Sequence, residues 1–366
     1  MKMAVLAIKV VFSLLLLLFG AAVYLGGNYW QTLSLLAIIV ALFYWPIFRT
    51  TRAWSLGSRL LTIGLMIVLQ FTVFRSPPKE SIYLSDAARE EIRTLYALKK
   101  QAWPQGAEDI WLDTEYGQVH VLAYGDTTLP PLLLFHAASM GAHSWAENIA
   151  PLVGKYRLYA IDNIGEGNLS ALADASVFPG SSKEIADLYA HLADALGVER
   201  APVFGASNGG YIAQVYACFY PERVESLVLF GPMGITPLSG KSIFMLAVSS
   251  MYPLPWVRHR VAHWAFGDDP YCHRKYGDWF DAIMKGTIPS VAKPEPMTEA
   301  QKAGMKLPIL LFLGSSDPIV GNVQIARRAA EAYPNIRIEV LASGHLVGIE
   351  QRDYVNQQVS GFLEGS

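Results

Sequence analysis

One short segment constrains this chain more than any other: a glycine–serine turn between an apolar strand and a helix. Residues 205–209, with the sequence GASNG, follow the apolar run 201–204 and precede the helical pattern 211–220. A G-x-S-x-G turn in this setting is tight enough to lift the serine hydroxyl out of the backbone. Gly205 and Gly209 are expected where strand and helix come too close for side chains. We therefore predict that Ser207 is a reactive serine.

Two residues further along the chain are candidates to activate this serine. A serine hydroxyl is a weak nucleophile and needs a neighbouring base, which a third group must orient. Asp317 and His345 follow in that order, each just after an apolar run, residues 308–313 and 337–341. Open α/β sheets place their sites at the carboxyl ends of such strands. We predict Ser207 as nucleophile, His345 as base and Asp317 as acid.

Asp162 is the alternative acid, because it also ends a predicted strand. It precedes Ser207 in the chain, whereas the strand–turn–helix arrangement places its acid after the nucleophile. Its position at the start of a glycine-containing turn, residues 162–167, is more typical of a residue that fixes loop backbone.

The oxyanion that forms during attack by a serine needs preorganised hydrogen-bond donors. One predicted donor is the backbone N–H of Asn208, which follows the nucleophile at the start of its helix. The second is the N–H of Ala138, in the loop after the strand that ends at His136, which we call the oxyanion loop. Such loops usually have glycine where Ala137 stands, so the backbone there must tolerate a Cβ. His136 is interpreted as a residue that braces the loop.

The pattern after residue 110 predicts an α/β domain with a mostly parallel sheet flanked by helices. Residues 77–109 are interpreted as a polar, helical connector and residues 110–366 as the folded domain. Ser181 and Glu184 predict a capping box for a helix that Gly197 ends. The predicted strands are residues 110–112, 119–124, 131–136, 157–162, 201–204, 226–230, 308–313 and 337–341, and a closing helix spans 354–363.

A long insertion, residues 231–306, separates two of the predicted strands. Its length and helical patches, at residues 244–252 and 276–285, predict a helical cap over the site. Two interpretations stay open for the histidine and aromatic side chains in the cap and after the oxyanion loop: they line an apolar pocket for an acyl group, or each simply packs in the core. They are His143, Trp145, Tyr252, Trp256, Trp264 and Trp279.

The N-terminal region is exceptionally apolar, with no charged residue between Val10 and Phe48. Because about 20 apolar residues cross a bilayer as a helix, residues 1–76 are predicted to be a membrane region with spans 5–25, 29–48 and 56–74. Arg49, Arg52 and Arg59 crowd one loop, which the positive-inside rule places in the cytoplasm. Three spans put the folded domain outside the membrane, and two would leave it inside. A cleaved signal peptide is the alternative for the first run.

Composition narrows the classes of partner. A formal net charge of −2 without basic clusters argues against nucleic acid. Two cysteines, Cys218 and Cys272, are too few for a disulfide framework. No C-x-x-C or H-E-x-x-H motif occurs, so the sequence predicts neither a metal nor another cofactor.

Residues 110–364 resemble the α/β-hydrolases, and most of all the bacterial serine carboxylesterases. The resemblance is carried by residues 136–149, 155–170, the Ser207 turn, 308–320, 334–349 and 351–363. It implies the α/β-hydrolase fold, with nucleophile, acid and base at Ser207, Asp317 and His345. It also implies an oxyanion pocket at Ala138 and Asn208.

These observations predict a membrane-anchored serine hydrolase whose partners are a small-molecule ester and, through its N-terminal helices, the lipid bilayer. The expected substrate is a small or medium apolar ester, cleaved through an acyl-enzyme. Amide cleavage and perhydrolysis use the same triad and stay open as alternatives. A non-catalytic binding module held at the membrane is the alternative from another class.

Overall fold

The computed structural model describes residues 81–238, 240–242, 245, 255–267 and 269–365. The chain divides into two compact units, Met1–Ser76 and Pro77–Ser366. The predicted spans 5–25, 29–48 and 56–74 lie outside the described residues, as does the predicted helical patch 244–252 except for residue 245. Within the described ranges, no helix is both long and apolar enough to cross a membrane.

The second unit is built on one twisted sheet with strand order β1-β2-β4-β3-β6-β7-β8-β9, and a short β5 pairs with β2. Pairing is parallel from β4 to β9, whereas β2 runs antiparallel to both β1 and β4. The prediction of a mostly parallel sheet is therefore confirmed. The strands are β1 Glu108–Thr114, β2 Gly117–Tyr124, β3 Pro131–Phe135, β4 Arg157–Ile161, β5 Ala171–Leu172, β6 Ala201–Ala206, β7 Val224–Phe230, β8 Ile309–Gly314 and β9 Ile336–Leu341.

Helices cover both faces of this sheet. On β3, Leu133 and Phe135 pack into one core cluster, and Leu132 and Leu134 pack into another on the opposite face. Because both faces are buried, the strand has a continuous apolar sequence rather than an alternating one. The helices are α1 Asp86–Lys100, α2 Ser182–Ala195, α3 Asn208–Phe219, α4 Pro255–Phe266, α5 Pro270–Gly286, α6 Glu299–Gly304, α7 Val323–Ala330, α8 Val347–Glu350 and α9 Arg352–Glu364; single-turn 3-10 helices span Ala142–Glu147 and Pro221–Arg223.

Helix α2 shows how local sequence sets the boundaries of an element. The Ser181 hydroxyl accepts from the N–H of Glu184, and the Glu184 carboxylate accepts in turn from the N–H of Ser181, so the predicted capping box is present. Gly197 follows the helix with φ +70°, a left-handed conformation that favours glycine.

The segment predicted as a connector is packed against the domain. Helix α1 contacts α5 of the insertion and buries Ile92 and Tyr96, which are four residues apart and share one helix face. Strand β1 begins within the same segment, at Glu108. Part of this segment is therefore packed as part of the folded domain.

The chain order of the strands locates the site. β4 lies on one side of β3, and the chain then crosses to β6 on the other side. The carboxyl ends of two strands at such a switch point frame a crevice that binds ligands in open α/β sheets. The oxyanion loop follows β3 and Ser207 follows β6, so both candidate segments meet at this crevice.

Candidate active site

Ser207 occupies the sharp turn between β6 and α3. Its backbone has φ +49° and ψ −114°, a conformation that costs a non-glycine residue about 1–3 kcal/mol. Two backbone hydrogen bonds hold it: Ser207 N–H donates to Phe230 O at 2.9 Å, and Met233 N–H donates to Ser207 O at 2.9 Å. The strain is therefore maintained by the loop after β7.

The two glycines of the turn lie where the sequence predicted close approach. A Cβ on Gly209 would be 2.2 Å from the carbonyl oxygen of Phe135, and one on Gly205 would be 2.5 Å from that of Gly209. Both distances are well below van der Waals contact, so α3 can start against β3 only with glycine at these positions.

The structure brings Ser207, His345 and Asp317 together. Ser207 Oγ lies 2.8 Å from His345 Nε2, and His345 Nδ1 lies 2.8 Å from Asp317 Oδ2. All three side chains are buried. A carboxylate can only accept, so the imidazole donates its Nδ1–H to Asp317 and presents Nε2 as an acceptor to the hydroxyl.

Asp317 is fixed by its own loop after β8. Its Oδ1 accepts from the N–H of Ile319 at 2.8 Å and from that of Val320 at 3.0 Å. This leaves Oδ2 directed at the imidazole. One carboxylate oxygen thus orders the loop while the other orients His345.

The alternative acid, Asp162, lies in a different hydrogen-bond network. Its Oδ2 is 2.8 Å from His120 Nδ1, and its Oδ1 accepts from the N–H of Ala142 at 2.7 Å. Burial opposes its ionisation, but the hydrogen bond and charge of His120 hold the pKa of Asp162 below its usual range. It braces the turn after β4 and the segment after the oxyanion loop.

The oxyanion loop contains a tight turn over residues 137–140. Met140 N–H donates to Ala137 O at 3.0 Å, and Ser139 has φ +61°. In a type II turn, the third of the four residues has a positive φ and the second does not, so glycine is favoured at the third position. Ser139 is that third residue. The strained position is therefore Ser139. Ala137 is not among the residues with positive φ, so its backbone tolerates a Cβ, as the sequence required.

The predicted oxyanion donors lie on either side of this crevice. Within the part of the chain that the structure describes, the N–H groups of Ala138 and Asn208 have no protein acceptor. His136 braces the loop: its Nδ1–H donates to Ala137 O at 2.8 Å, and its Nε2 accepts from Asn163 N–H at 2.9 Å. Burial lowers the pKa of His136, consistent with this neutral tautomer.

Two further residues hold the same loop: Glu166, which sequence reasoning missed, and Trp279, which it considered only as a pocket residue. Glu166 Oε2 accepts from the N–H of Ser139 at 2.7 Å, and Trp279 Nε1–H donates to the carbonyl of Ser139 at 2.9 Å. The only sequence signal for Glu166 was an acidic residue inside a glycine-containing turn. Burial raises its pKa to about 8, although hydrogen bonds from Ser139 and Asn163 favour its charged form.

We expect this carboxyl group to make stability depend on pH. Its pKa is raised from the ordinary value of 4.5 to about 8, which means that the folded state binds the proton more tightly than the unfolded state does. The contribution of this proton to the free energy of unfolding is therefore complete below pH 4.5 and is lost as pH rises through 8. Between pH 6.5 and 8 the loss is about 2 kcal/mol at 1.4 kcal/mol per pKa unit. Glu166→Gln should remove this part of the slope in denaturant unfolding curves.

The difference in pH dependence between the wild type and Glu166→Gln isolates the contribution of Glu166, which the wild type alone would not. The raised pKa of His120 gives the wild type a slope of the same sign. His136 and His143, whose pKa values are lowered, contribute only below pH 6.5, which is why the window starts there. Equal slopes in wild type and Glu166→Gln above pH 6.5 would show that Glu166 is ionised throughout.

A small apolar cavity opens beside Ser207 and His345. It is lined by side chains from the oxyanion loop, the following 3-10 helix, the end of β7, the loop before α8 and α8 itself, including Met140, Trp145, Phe230, Leu346 and Ile349. Of the six aromatic and histidine residues predicted to line a pocket, Trp145 lines this cavity. Tyr252 and the side chain of Trp256 lie outside the described part.

The other predicted pocket residues have different environments. His143 is packed between Tyr96 and Trp279, with ring centroids 5.0 and 4.4 Å away. Burial lowers its pKa to about 3, so the ring is neutral. Trp264 packs between two core clusters. For these side chains the structure shows the packing alternative rather than a pocket. Their spacing in the sequence does not indicate which side of a helix faces the site.

Among the described residues, no group of three or more His, Cys, Asp or Glu side chains is arranged to hold a metal ion.

The sheet order, the strained turn at Ser207 and the crossover at β3 and β6 are those of the α/β-hydrolase fold. A family model of the alpha/beta hydrolase fold matches residues 130–244. The chain is 28% identical to the uncharacterized carboxylesterase nap of Bacillus subtilis over 284 residues, which cover 71% of this chain and 88% of that protein. It is 28% identical over 273 residues to carboxylesterase YbfK of the same organism, and this alignment covers 72% of this chain and 90% of that protein.

Solved structures give the same relationship. The crystal structure of naproxen esterase from Bacillus subtilis superposes with a TM-score of 0.70 at 28% identity, covering 76% of this chain and 99% of that one. Carboxylesterase CesB (YbfK) from Bacillus subtilis gives a TM-score of 0.70 at 26% identity, with the same coverage.

Proposed function

We propose that this domain is a serine hydrolase that cleaves carboxylic esters through an acyl-enzyme. The observation that carries the proposal is the continuous chain from Ser207 Oγ through His345 to Asp317, with both hydrogen bonds at 2.8 Å. Similarity to Bacillus carboxylesterases supports an ester as the substrate. The apolar lining of the cavity supports a small or medium apolar acyl group.

In the first half-reaction, Ser207 Oγ attacks the ester carbonyl carbon and its proton passes to His345 Nε2. The π electrons of the carbonyl move to its oxygen, where the N–H groups of Ala138 and Asn208 would stabilise the charge. Collapse of this intermediate breaks the bond to the alkoxy oxygen, which takes the proton from Nε2. A water molecule then repeats the sequence on the acyl-enzyme, releasing the acid and restoring Ser207.

The proposal includes attachment to a membrane through the N-terminal region, with the domain on the extracytoplasmic side. Its support is the uncharged run from Val10 to Phe48 and the arginines that follow it. Amide cleavage and perhydrolysis would use the same residues and are alternatives to ester cleavage within this proposal.

One experiment tests activity and sidedness together. Intact cells producing the protein are treated with a membrane-permeant or a membrane-impermeant fluorophosphonate, and the labelled peptide is identified by mass spectrometry. We expect both probes to label Ser207, and the purified protein to hydrolyse p-nitrophenyl esters faster than the matched anilides. Labelling by the permeant probe alone would place the domain inside. Absence of labelling and of turnover, with saturable ligand binding, would favour the binding module.

A further inference from the structure

The oxyanion loop is held in a strained shape by contacts from two distant parts of the chain. Among the described residues, Ser139 and Ser207 are the non-glycine residues with positive φ. A left-handed backbone costs such a residue about 1–2 kcal/mol, so it persists only where its surroundings stabilise it. Ser207 is the proposed nucleophile, which leaves the strain at Ser139 to be explained.

Both backbone polar groups of Ser139 are engaged by buried side chains. Its N–H donates to Glu166 Oε2 at 2.7 Å, and its carbonyl accepts from Trp279 Nε1–H at 2.9 Å. Glu166 comes from the turn after β4, whereas Trp279 comes from α5 of the insertion, 140 residues away along the chain. Their exposed fractions are 1% and 0%, so both side chains that hold the partly exposed Ser139 are themselves shielded from water.

These contacts bear directly on the predicted oxyanion donor. The N–H of Ser139 belongs to the peptide group that begins at Ala138, so fixing its direction fixes the ψ angle of Ala138. Met140 N–H closes the turn onto Ala137 O at 3.0 Å, which leaves the N–H of Ala138 little freedom to rotate. An oxyanion donor is effective because it is aimed before the charge develops.

We propose that Trp279 and Glu166 are positioning residues that hold Ser139 by its C=O and its N–H, and so aim the N–H of Ala138 at the developing oxyanion. The inference rests on the proposed function, since it assigns these residues to the same site. Helix α5 then supports the shape of the oxyanion loop through the Trp279 contact. Neither side chain needs to touch the substrate.

Packing is the competing explanation for Trp279, because its ring also contacts His143 at 4.4 Å and Tyr96 at 6.1 Å between centroids. Trp279→Phe separates the two roles, since it keeps an aromatic ring but removes the N–H. Trp264→Phe is the matched control on α4 of the same insertion. It removes the same atoms, but Trp264 Nε1 is buried without a hydrogen-bond partner within the described part of the chain.

The experiment measures kcat and KM for p-nitrophenyl acetate and the second-order rate constant of inactivation by a fluorophosphonate, whose phosphoryl oxygen would occupy the oxyanion pocket. For Trp279→Phe we expect kcat and the inactivation constant to fall about tenfold, below the 100-fold typical for complete loss of one donor. KM should stay within about twofold because the contact acts on the transition state. Trp264→Phe should stay within about twofold in all three.

Glu166 supplies the second pair of variants. Glu166→Gln keeps an oxygen that can accept from Ser139 N–H, and Glu166→Leu has similar volume but no acceptor. We expect Glu166→Gln to retain a larger fraction of the wild-type inactivation constant than Glu166→Leu does. Both variants should bind the same number of probe molecules per chain. If Trp279→Phe has the same kcat and inactivation constant as Trp264→Phe while the wild type is labelled at Ser207, the positioning role is refuted and the proposed function stands. If the wild type is not labelled, both are refuted.

Discussion

Ser207→Ala is expected to lower kcat for p-nitrophenyl esters by about 10⁵- to 10⁶-fold, to the level left by binding and the oxyanion donors. The hydroxyl oxygen forms the bond to the acyl group, and within the described ranges the hydrogen-bond partner of His345 Nε2 is Ser207 Oγ. The fold should persist, because the strained turn is held by backbone hydrogen bonds that the substitution leaves in place. Steady-state turnover and fluorophosphonate labelling measure the loss.

Ser226→Ala is the matched control for this loss. Ser226 is a buried serine on β7 whose Oγ has no hydrogen-bond partner within the described residues, so its removal takes away a hydroxyl of the same kind without a chemical role. We expect its kcat within about twofold of the wild type. Turnover by Ser207→Ala above about one per cent of wild type would exclude Ser207 as the nucleophile.

The parts of the site that sequence predicted are those encoded locally. The sheet positions of Ser207, Asp317 and His345 follow from an apolar run and the residue just after it, because parallel strands bring such ends to one edge. The steric role of Gly209 follows equally from a strand, a tight turn and a helix. No knowledge of distant contacts was needed for either prediction.

The parts that were missed depend on contacts between distant segments. Nothing near Trp279 in the sequence indicates that its N–H reaches the carbonyl of Ser139, and the acid at Glu166 could equally have faced solvent. The strain at Ser139 was also missed, because the position of the turn depends on the hydrogen bond from Met140 N–H to Ala137 O. Packing of the insertion against the oxyanion loop, rather than local propensity, determines these details.

Asp317→Asn is the second large effect that we expect, a fall in kcat of about 10⁴-fold. An asparagine can keep its Oδ1 on the N–H groups of Ile319 and Val320, so the loop retains its shape. Its amide nitrogen then faces His345 Nδ1, which must accept rather than donate. The imidazole proton moves to Nε2, which can no longer accept from Ser207. Steady-state kcat for p-nitrophenyl acetate, with fluorophosphonate labelling in parallel, measures the effect.

Asp162→Asn provides the matched comparison, because each aspartate lies 2.8 Å from a histidine Nδ1 and each uses its other oxygen to accept backbone N–H groups. The two substitutions make the same chemical change at two networks, of which one contains Ser207. Asp162→Asn should lower stability by weakening the buried contact with His120, and should lower kcat by less than about tenfold. A 10⁴-fold loss for Asp162→Asn combined with an active Asp317→Asn would assign the acid to Asp162, and with it a different histidine to the proton transfer.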